Sequence, residues 1–291
     1  MTRERIRLPG DPGSTLTRSR GPGRLARVLG SMLVAGWFLL PFAPLALWAF
    51  ADQWSFPAVL PTEWGFEGVD SAIAHGAVPA LGASLALSLI VTAVATPLGA
   101  MAARAFTFGA VPWPRTVSAL LLAPIALPPF AAVLGLNVML LRAQIPPEAG
   151  LVLVLVVMAI PYTTFTMRVA YAAHDIRYEE EARTLGASRW SVLWRVHVPL
   201  VAPALARAAF LAFLVGWSDY VVTVVVGGGQ IVTLPLVTGA LAAGLGNDAA
   251  VAVLSLSAIV PPLVLLTLAG FAGGRASGTT NQSTPDVGEQ R

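Results

Sequence analysis

The residues best suited to specific chemistry lie in a polar island, Asp175 to Pro203, reading DIRYEEEARTLGASRWSVLWRVHVPLVAP between long apolar segments. It carries Arg177, Arg183, Arg189 and Arg195, with Arg207 just beyond, and the acids Asp175, Glu179, Glu180 and Glu181. The chemistry such a pattern offers is recognition: a segment that folds by itself and touches a soluble partner. Catalytic alternatives are thin. There is no Cys, so no disulfide framework and no Cys-ligated metal site. His75, His174 and His197 lie far apart and lack metal-ligand spacing; they read as scattered polar or interfacial histidines. The chain has no Lys, so it has no Walker A sequence and no route of that kind to ATP hydrolysis. No clustered titratable groups mark an enzyme pocket.

The island has its own local logic. Ile176 to Leu185 is rich in Glu, Arg, Ala and Leu, all strong helix formers. Gly186 stands where a left-handed stop is needed, and Gly takes positive φ without a Cβ penalty. Ser188 is placed to cap a second helix. That helix carries Trp190, Leu193, Trp194 and His197 at helical spacing. Pro199 and Pro203 then discourage its continuation. The expected unit is helix, Gly turn, short helix, Pro stop.

The elements that must hold this island are membrane spans. The chain is 56% hydrophobic and only 11% charged, with mean hydropathy +0.74, whereas soluble domains run near a quarter charged. A span needs about 20 mainly apolar residues. Six segments qualify: Ser31–Phe50, Ala80–Ala103, Val117–Leu141, Gly150–Met167, Ala204–Val226 and Ala249–Phe271. Several contain Pro, which spanning helices tolerate when neighbours re-satisfy the freed backbone. Gly82-x-x-x-Ala86 and Gly239-x-x-x-Ala243 offer small-residue packing faces. The fold class expected is all-α integral membrane with six transmembrane helices. Residues 1–30 form an Arg-rich tail, 31–273 the transmembrane domain with its loop 175–203, and 274–291 a second tail; both tails are expected to be disordered. The sequence Ala49-Phe50-Ala51 resembles a cleavage site, but the apolar stretch before it exceeds a signal-peptide core, and a retained span is expected.

Arginine placement orients the chain. Arg3, Arg5, Arg7, Arg18, Arg20, Arg24 and Arg27 precede the first span, Arg104 and Arg115 follow the second, and the island and the C-terminal tail hold more. Ala51–Pro79 and Gly227–Asp248 have none, and only Arg142 falls on their side. The positive-inside rule puts both termini and the island in the cytoplasm.

With that position, Glu180-Glu181-Ala182, then Gly186, then Val196-His197-Val198-Pro199 resembles the EAA loop of binding-protein-dependent ABC importer permeases, E-A-A, three residues, G, nine residues, I-x-L-P. Glu181 replaces the first Ala, Val196 the Ile and Val198 the Leu. The resemblance implies the MetI-like permease fold, a bacterial inner-membrane location, and a coupling helix seated in a groove of cytoplasmic ATPase subunits. It gives coupling roles to Glu180, Glu181, Ala182, Gly186, Val196, Val198 and Pro199. It also implies a second permease subunit, most simply a different chain, and an extracytoplasmic solute-binding protein. ATP is bound by the partner, so this chain needs no cofactor and is not itself an enzyme; no metal or nucleic acid is expected.

The pathway is less marked. Asp219 is an acid inside the fifth segment, about 22 Å along from Ala204 at helical rise, and intramembrane acids are functional candidates by default. It either lines the pathway and meets a cationic solute or sits at the outer interface bonded to Ser218 or Tyr220. Asn137 is a second pathway candidate; Ser84, Ser88, Thr92, Thr163, Thr164 and Ser255 are candidates for interhelical hydrogen bonds. Gln230–Asn247 is too short and Gly-interrupted to span, and reads as an outer interfacial or re-entrant helix, either a gate or a packing loop. Trp37, Trp48, Trp54 and Trp64 fit interfacial anchors. The stretch from Gly216-Trp217-Ser218-Asp219-Tyr220 to Thr233-Leu234-Pro235 resembles spermidine/putrescine-type permeases with one acid of their usual pair, which points to a polyamine-like solute. Sugar, iron, thiamine and phosphonate permeases share the general build. The rival class is an ion-coupled secondary transporter, which would show internal repeats and midplane charges.

Overall fold

The computed structural model describes residues 24–277 apart from positions 55, 56, 110, 174 and 176; most of the two expected tails, with His174 and Ile176, lie outside the described residues. Helix α1, Arg24–Leu39, begins inside the expected N-terminal tail. It is followed by α2, Phe42–Ala49, with a bend of 49° at the break. The chain divides into two compact units, residues 1–44 and 45–291, and the second holds every element after α2.

A small hairpin, β1 (Ala51–Gln53) against β2 (Glu63–Trp64), pairs Ala51 with Trp64 and Gln53 with Glu63. Helix α3, Glu67–Ala74, comes next; its first-turn Glu67 N–H is held by Asp52 Oδ1 at 3.0 Å. None of this was anticipated from the apolar pattern. Trp48 and Trp54 pack together with ring centroids 4.6 Å apart, and Trp54 Nε1 donates to the Ala58 carbonyl. Two of the four expected anchors are thus a local aromatic pair, while Trp37 and Trp64 are exposed.

The long helices are α4 (Ala77–Thr107), α7 (Pro147–Ala172), α10 (Val198–Trp217) and α13 (Asp248–Ser277). Among the described residues four helices are long and apolar enough to cross a membrane, or six spans if each of two bent pairs counts as one. The third expected span is such a pair: α5 (Pro114–Ala126) and α6 (Pro129–Arg142), bent by 105°. The cause is Pro128-Pro129, which forces the preceding Leu127 into extended backbone, φ −82° and ψ 145°.

Two further expectations need correction. The fifth span does not run from Ala204 to Val226. It breaks after Trp217, and a separate α11 covers Val221–Gly227. Asp219 breaks it by offering the backbone another acceptor: its carboxylate takes the Val222 N–H (3.3 Å), the Thr223 N–H (2.9 Å) and the Thr223 hydroxyl (3.0 Å). Pro199 and Pro203 do not stop the island's second helix either. Helix α9 (Arg189–Val192) passes through a π-helical turn, Leu193–His197, into α10, so Arg189–Trp217 is continuous. The Val198 N–H reaches five residues back to Leu193. The extra residue loosens the turn just where Pro199 has no N–H to give.

Helices α4, α7 and α10 form the packed centre. One buried cluster gathers Leu87, Val91, Val133, Leu151, Leu155 and Val222; a second gathers Phe213, Trp217, Leu234, Leu241 and Leu254; a third gathers Ala103, Met167, Tyr171, Val201 and Ala208. Apolar periodicity does not mark these faces, because the exposed side of α4 (Leu89, Ile90, Leu98, Met101) is as apolar as its buried side. Lipid removes the hydrophobic difference, and close approach of small residues decides packing instead. The close crossings are at Gly99, where a Cβ would overlap Thr163 Oγ1, and at Gly216, where it would lie 2.9 Å from Ser88 Cα. Gly82, an expected packing residue, faces open space; Gly239 does pack, with its would-be Cβ 2.9 Å from the Tyr220 ring.

Candidate functional site

The island folds as two helices around a glycine turn. Helix α8, Arg177–Thr184, opens with Glu179 and Glu180 and closes with Arg183, which suits the helix dipole. Gly186 has φ +87°. Its N–H bonds the Arg183 carbonyl at 2.9 Å, and the Ala187 N–H bonds Ala182 at 3.0 Å. These two bonds make a Schellman stop. Ser188 Oγ then accepts the Ser191 N–H at 3.3 Å and starts α9.

The expected coupling residues divide by exposure. Glu180, Glu181, Gly186 and Pro199 are exposed, while Ala182, Val196 and Val198 are half-buried. Around the first group, Leu185 is 88%, Trp190 71% and Trp194 63% exposed. Large apolar side chains thus stand exposed among charged ones on this face of the loop.

The acid with the most contacts is one that sequence reading gave no role, Glu179. Its side chain is 3% exposed and is gripped by Arg104 from the end of α4 through two parallel bonds: Nη1 to Oε1 at 3.0 Å and Nη2 to Oε2 at 2.7 Å. His197 Nδ1 lies 2.8 Å from Glu179 Oε1, and Tyr171 Oη lies 3.0 Å from His197 Nε2. Arg104 Nη1 is also 2.9 Å from His197 Nδ1. A carboxylate only accepts, so the 2.8 Å contact places a proton on His197 Nδ1 facing Glu179, and the Arg104 Nη1 approach to that same nitrogen is a contact between two donors, not a hydrogen bond. Arg183 adds a longer ion pair, 4.0 Å, to Glu179 Oε2. Burial alone would raise the Glu179 pKa; the hydrogen bonds and charges of Arg104 and His197 outweigh it and bring the group down to about 2. His197 is therefore part of a buried network rather than a scattered interfacial residue. The network draws on α4, α7, α8 and the π turn, and it borders a cavity of about 530 Å³ lined also by Pro97, Met101, Arg189 and Trp194. No sequence spacing relates Arg104 to Glu179, 75 residues on.

The pathway candidates are placed elsewhere. Asp219 borders a cavity of about 420 Å³ with Met158, Tyr162, Ser218 and Tyr220, while its oxygens cap α11. They accept from Val222 and Thr223 rather than from the expected Ser218 or Tyr220. Asn137 Nδ2 donates to the Val225 carbonyl at 3.1 Å, tying α6 to α11. Of the small polar residues, Ser84 Oγ accepts the Leu234 N–H (2.8 Å) between helices, while Thr163 Oγ1 has its shortest acceptor in its own helix, the Ile160 carbonyl (2.9 Å), with the Ala95 carbonyl of α4 at 3.2 Å. Ser88 and Thr92 instead bond their own helix. The segment 230–247 contains the nine-residue α12, Leu234–Ala242, packed on α4 and α13.

The structure is a bundle of apolar helices with a charged helical loop between two of them, and the chain belongs to the family described as the inner membrane component of binding-protein-dependent transport systems, matched over residues 95–273. Members are transport permeases rather than enzymes. The chain is 31% identical over 152 residues to a protein of Streptomyces antibioticus described as an ABC transporter permease, ORF1, covering 52% of this chain and 65% of that protein, just under two thirds. It is 27% identical over 246 residues to PhnV of Salmonella paratyphi A, a permease of a 2-aminoethylphosphonate transport system, covering 83% of this chain and 91% of PhnV. The fold matches a chain of a crystal structure of a bacterial ABC transporter involved in import of the acidic polysaccharide alginate. The TM-score is 0.59 at 16% identity, over 86% of this chain and 98% of the other.

Proposed function

We propose that the chain is a permease subunit of a bacterial ABC importer, multi-pass in the inner membrane with both termini cytoplasmic. Loop 175–203 is the dock for a cytoplasmic ATPase, which supplies the ATP chemistry. A second, different permease completes the translocation pathway, and an extracytoplasmic binding protein delivers the solute. The observation that carries this reading is the loop's outward surface: Leu185, Trp190 and Trp194 stand exposed beside Glu180 and Glu181 on helices fixed by the Gly186 turn. A soluble partner with an apolar groove would cover them. ATP-driven closure of that partner moves the loop, and the spans exchange between two global states.

For the solute we infer a small polar molecule. A polyamine-like cation is the version favoured by Asp219 beside the 420 Å³ cavity. Relatives carry names of systems for other chemistries, so the solute follows from the binding protein that accompanies the complex.

The test is affinity capture of the tagged chain from solubilised membranes. Recovery of an ATPase with the unaltered chain, and its loss with Gly186→Asp at normal expression and insertion, is the expected result. Normal ATPase recovery with Gly186→Asp sinks the docking role. Capture of the chain alone, with uptake driven by a proton gradient in ATP-depleted vesicles, moves the case to a secondary transporter.

A further inference from the structure

Ser84 and Arg104 lie on one unbroken helix, α4. At helical rise their separation is about 30 Å, the thickness of a bilayer core. Each is tied by its side chain to a different element. Arg104 grips Glu179 of the loop, and Ser84 Oγ holds the buried first-turn N–H of α12. Between them α4 is seated on α7 at Gly99 and on α10 at Ser88. These contacts leave little room for it to slide past either neighbour.

Resting on the reading of the loop as the ATPase dock, we propose that the Arg104–Glu179 pair is the joint through which loop movement enters the spans, and that α4 is the strut carrying it to α12. Glu180 and Glu181 are exposed and face outward, so they transmit nothing inward by themselves. Glu179 is different. Drawing α8 away from α4 would take the two-bond Arg104 grip from a carboxylate whose side chain is 3% exposed, while its His197 contact and longer Arg183 pair remain, and a buried charge that loses its bidentate partner is strongly destabilised. The loop and the end of α4 therefore move together. The two parallel bonds fix angle as well as distance, so rotation of α8 turns α4. At the far end, parting Ser84 from Leu234 would leave a buried N–H without its acceptor, so α12 follows. Arg104, Glu179 and Ser84 are positioning residues; they act through α4 and need not touch solute or nucleotide.

The chain has no Cys, so a single introduced thiol reports on α12 without background. In the assembled importer in lipid nanodiscs, Ala240→Cys on the exposed side of α12 is labelled with a water-soluble maleimide, with and without MgATP and vanadate. With the remaining sequence unaltered, the nucleotide should change the labelling rate. With Glu179→Gln the ATPase should still co-purify, while the nucleotide-dependent change falls about tenfold, within the usual range of coupling between sites. Arg104→Lys, which keeps the charge and loses the fork, should give a smaller fall in the same direction; it decides the matter if Glu179→Gln does not fold. Ser84→Ala should reproduce the loss from the other end. A full nucleotide response in Glu179→Gln or Arg104→Lys overturns the joint. A labelling rate indifferent to nucleotide in the otherwise unaltered chain overturns the strut. Failure of the ATPase to co-purify with the unaltered chain is a different result, and removes the docking reading itself.

Discussion

Replacing Glu179 by Gln keeps the volume of the side chain, removes its charge and turns one acceptor oxygen into an NH2 donor facing other N–H donors, so it breaks the buried pair without opening a cavity. The Glu179 carboxyl is held at about 2 against an ordinary 4.5. At about 1.4 kcal/mol for each tenfold change in acidity, that difference corresponds to about 3 kcal/mol of folding stability. Arg104 is a third exposed, so this figure belongs at the low end of the about 3–5 kcal/mol typical of removing one partner from a fully buried pair. The sign follows from the depressed pKa. The contribution is fully present above the unfolded value near 4.5 and is lost as pH falls through about 2. Thermal unfolding of the purified chain in detergent reads this directly. At pH 7 Glu179→Gln should melt roughly 6–12 °C lower, taking about 2–4 °C per kcal/mol for a chain of this size class. Between pH 4.5 and pH 3 the gap should narrow. A Tm within about 1 °C of the unaltered chain at pH 7 would refute the reasoning, as would a gap that stays constant down to pH 3.

Three further outcomes rest on the packing. Gly99→Ala should sharply reduce the yield of monodisperse protein in size-exclusion chromatography, because its Cβ would overlap Thr163 Oγ1, whereas Gly82→Ala, facing open space, should leave it unchanged. Asp219→Ala should lower stability by about 1 kcal/mol as a lost cap, and Asp219→Ser should restore part of it; full restoration of fold without restoration of uptake would give Asp219 a pathway role beyond capping. Trp190→Ala with Trp194→Ala should weaken ATPase recovery at least tenfold with no change in Tm, since both rings are exposed; unchanged recovery would place the dock elsewhere.

Much of the loop was legible because its signals are local. A glycine that must take φ +87°, a serine that caps, and a run of strong helix formers act within a few residues, so Gly186 and Ser188 could be assigned from sequence. The same locality misled at Pro199 and Pro203: a π turn, visible only in three dimensions, absorbed the proline that should have ended the helix. The fifth segment failed in the opposite sense. Its hydropathy is continuous, but one carboxylate outcompeted the helix for the Val222 and Thr223 amides.

The sequence by itself determined that this chain is a membrane protein, roughly where its apolar segments lie, and that a charged loop with a fixed glycine turn interrupts them. Those features depend on composition and on short-range backbone preference. Only the tertiary structure decided which acid of Glu179, Glu180 and Glu181 turns inward, which glycines sit at helix crossings, and that Arg104 and His197 converge on one carboxylate with Tyr171 behind His197. The reason is that lipid-facing and buried surfaces are equally apolar in this chain. Hydropathy therefore carries no record of which faces meet, and contacts between residues 75 and 93 positions apart exist only once the helices have packed.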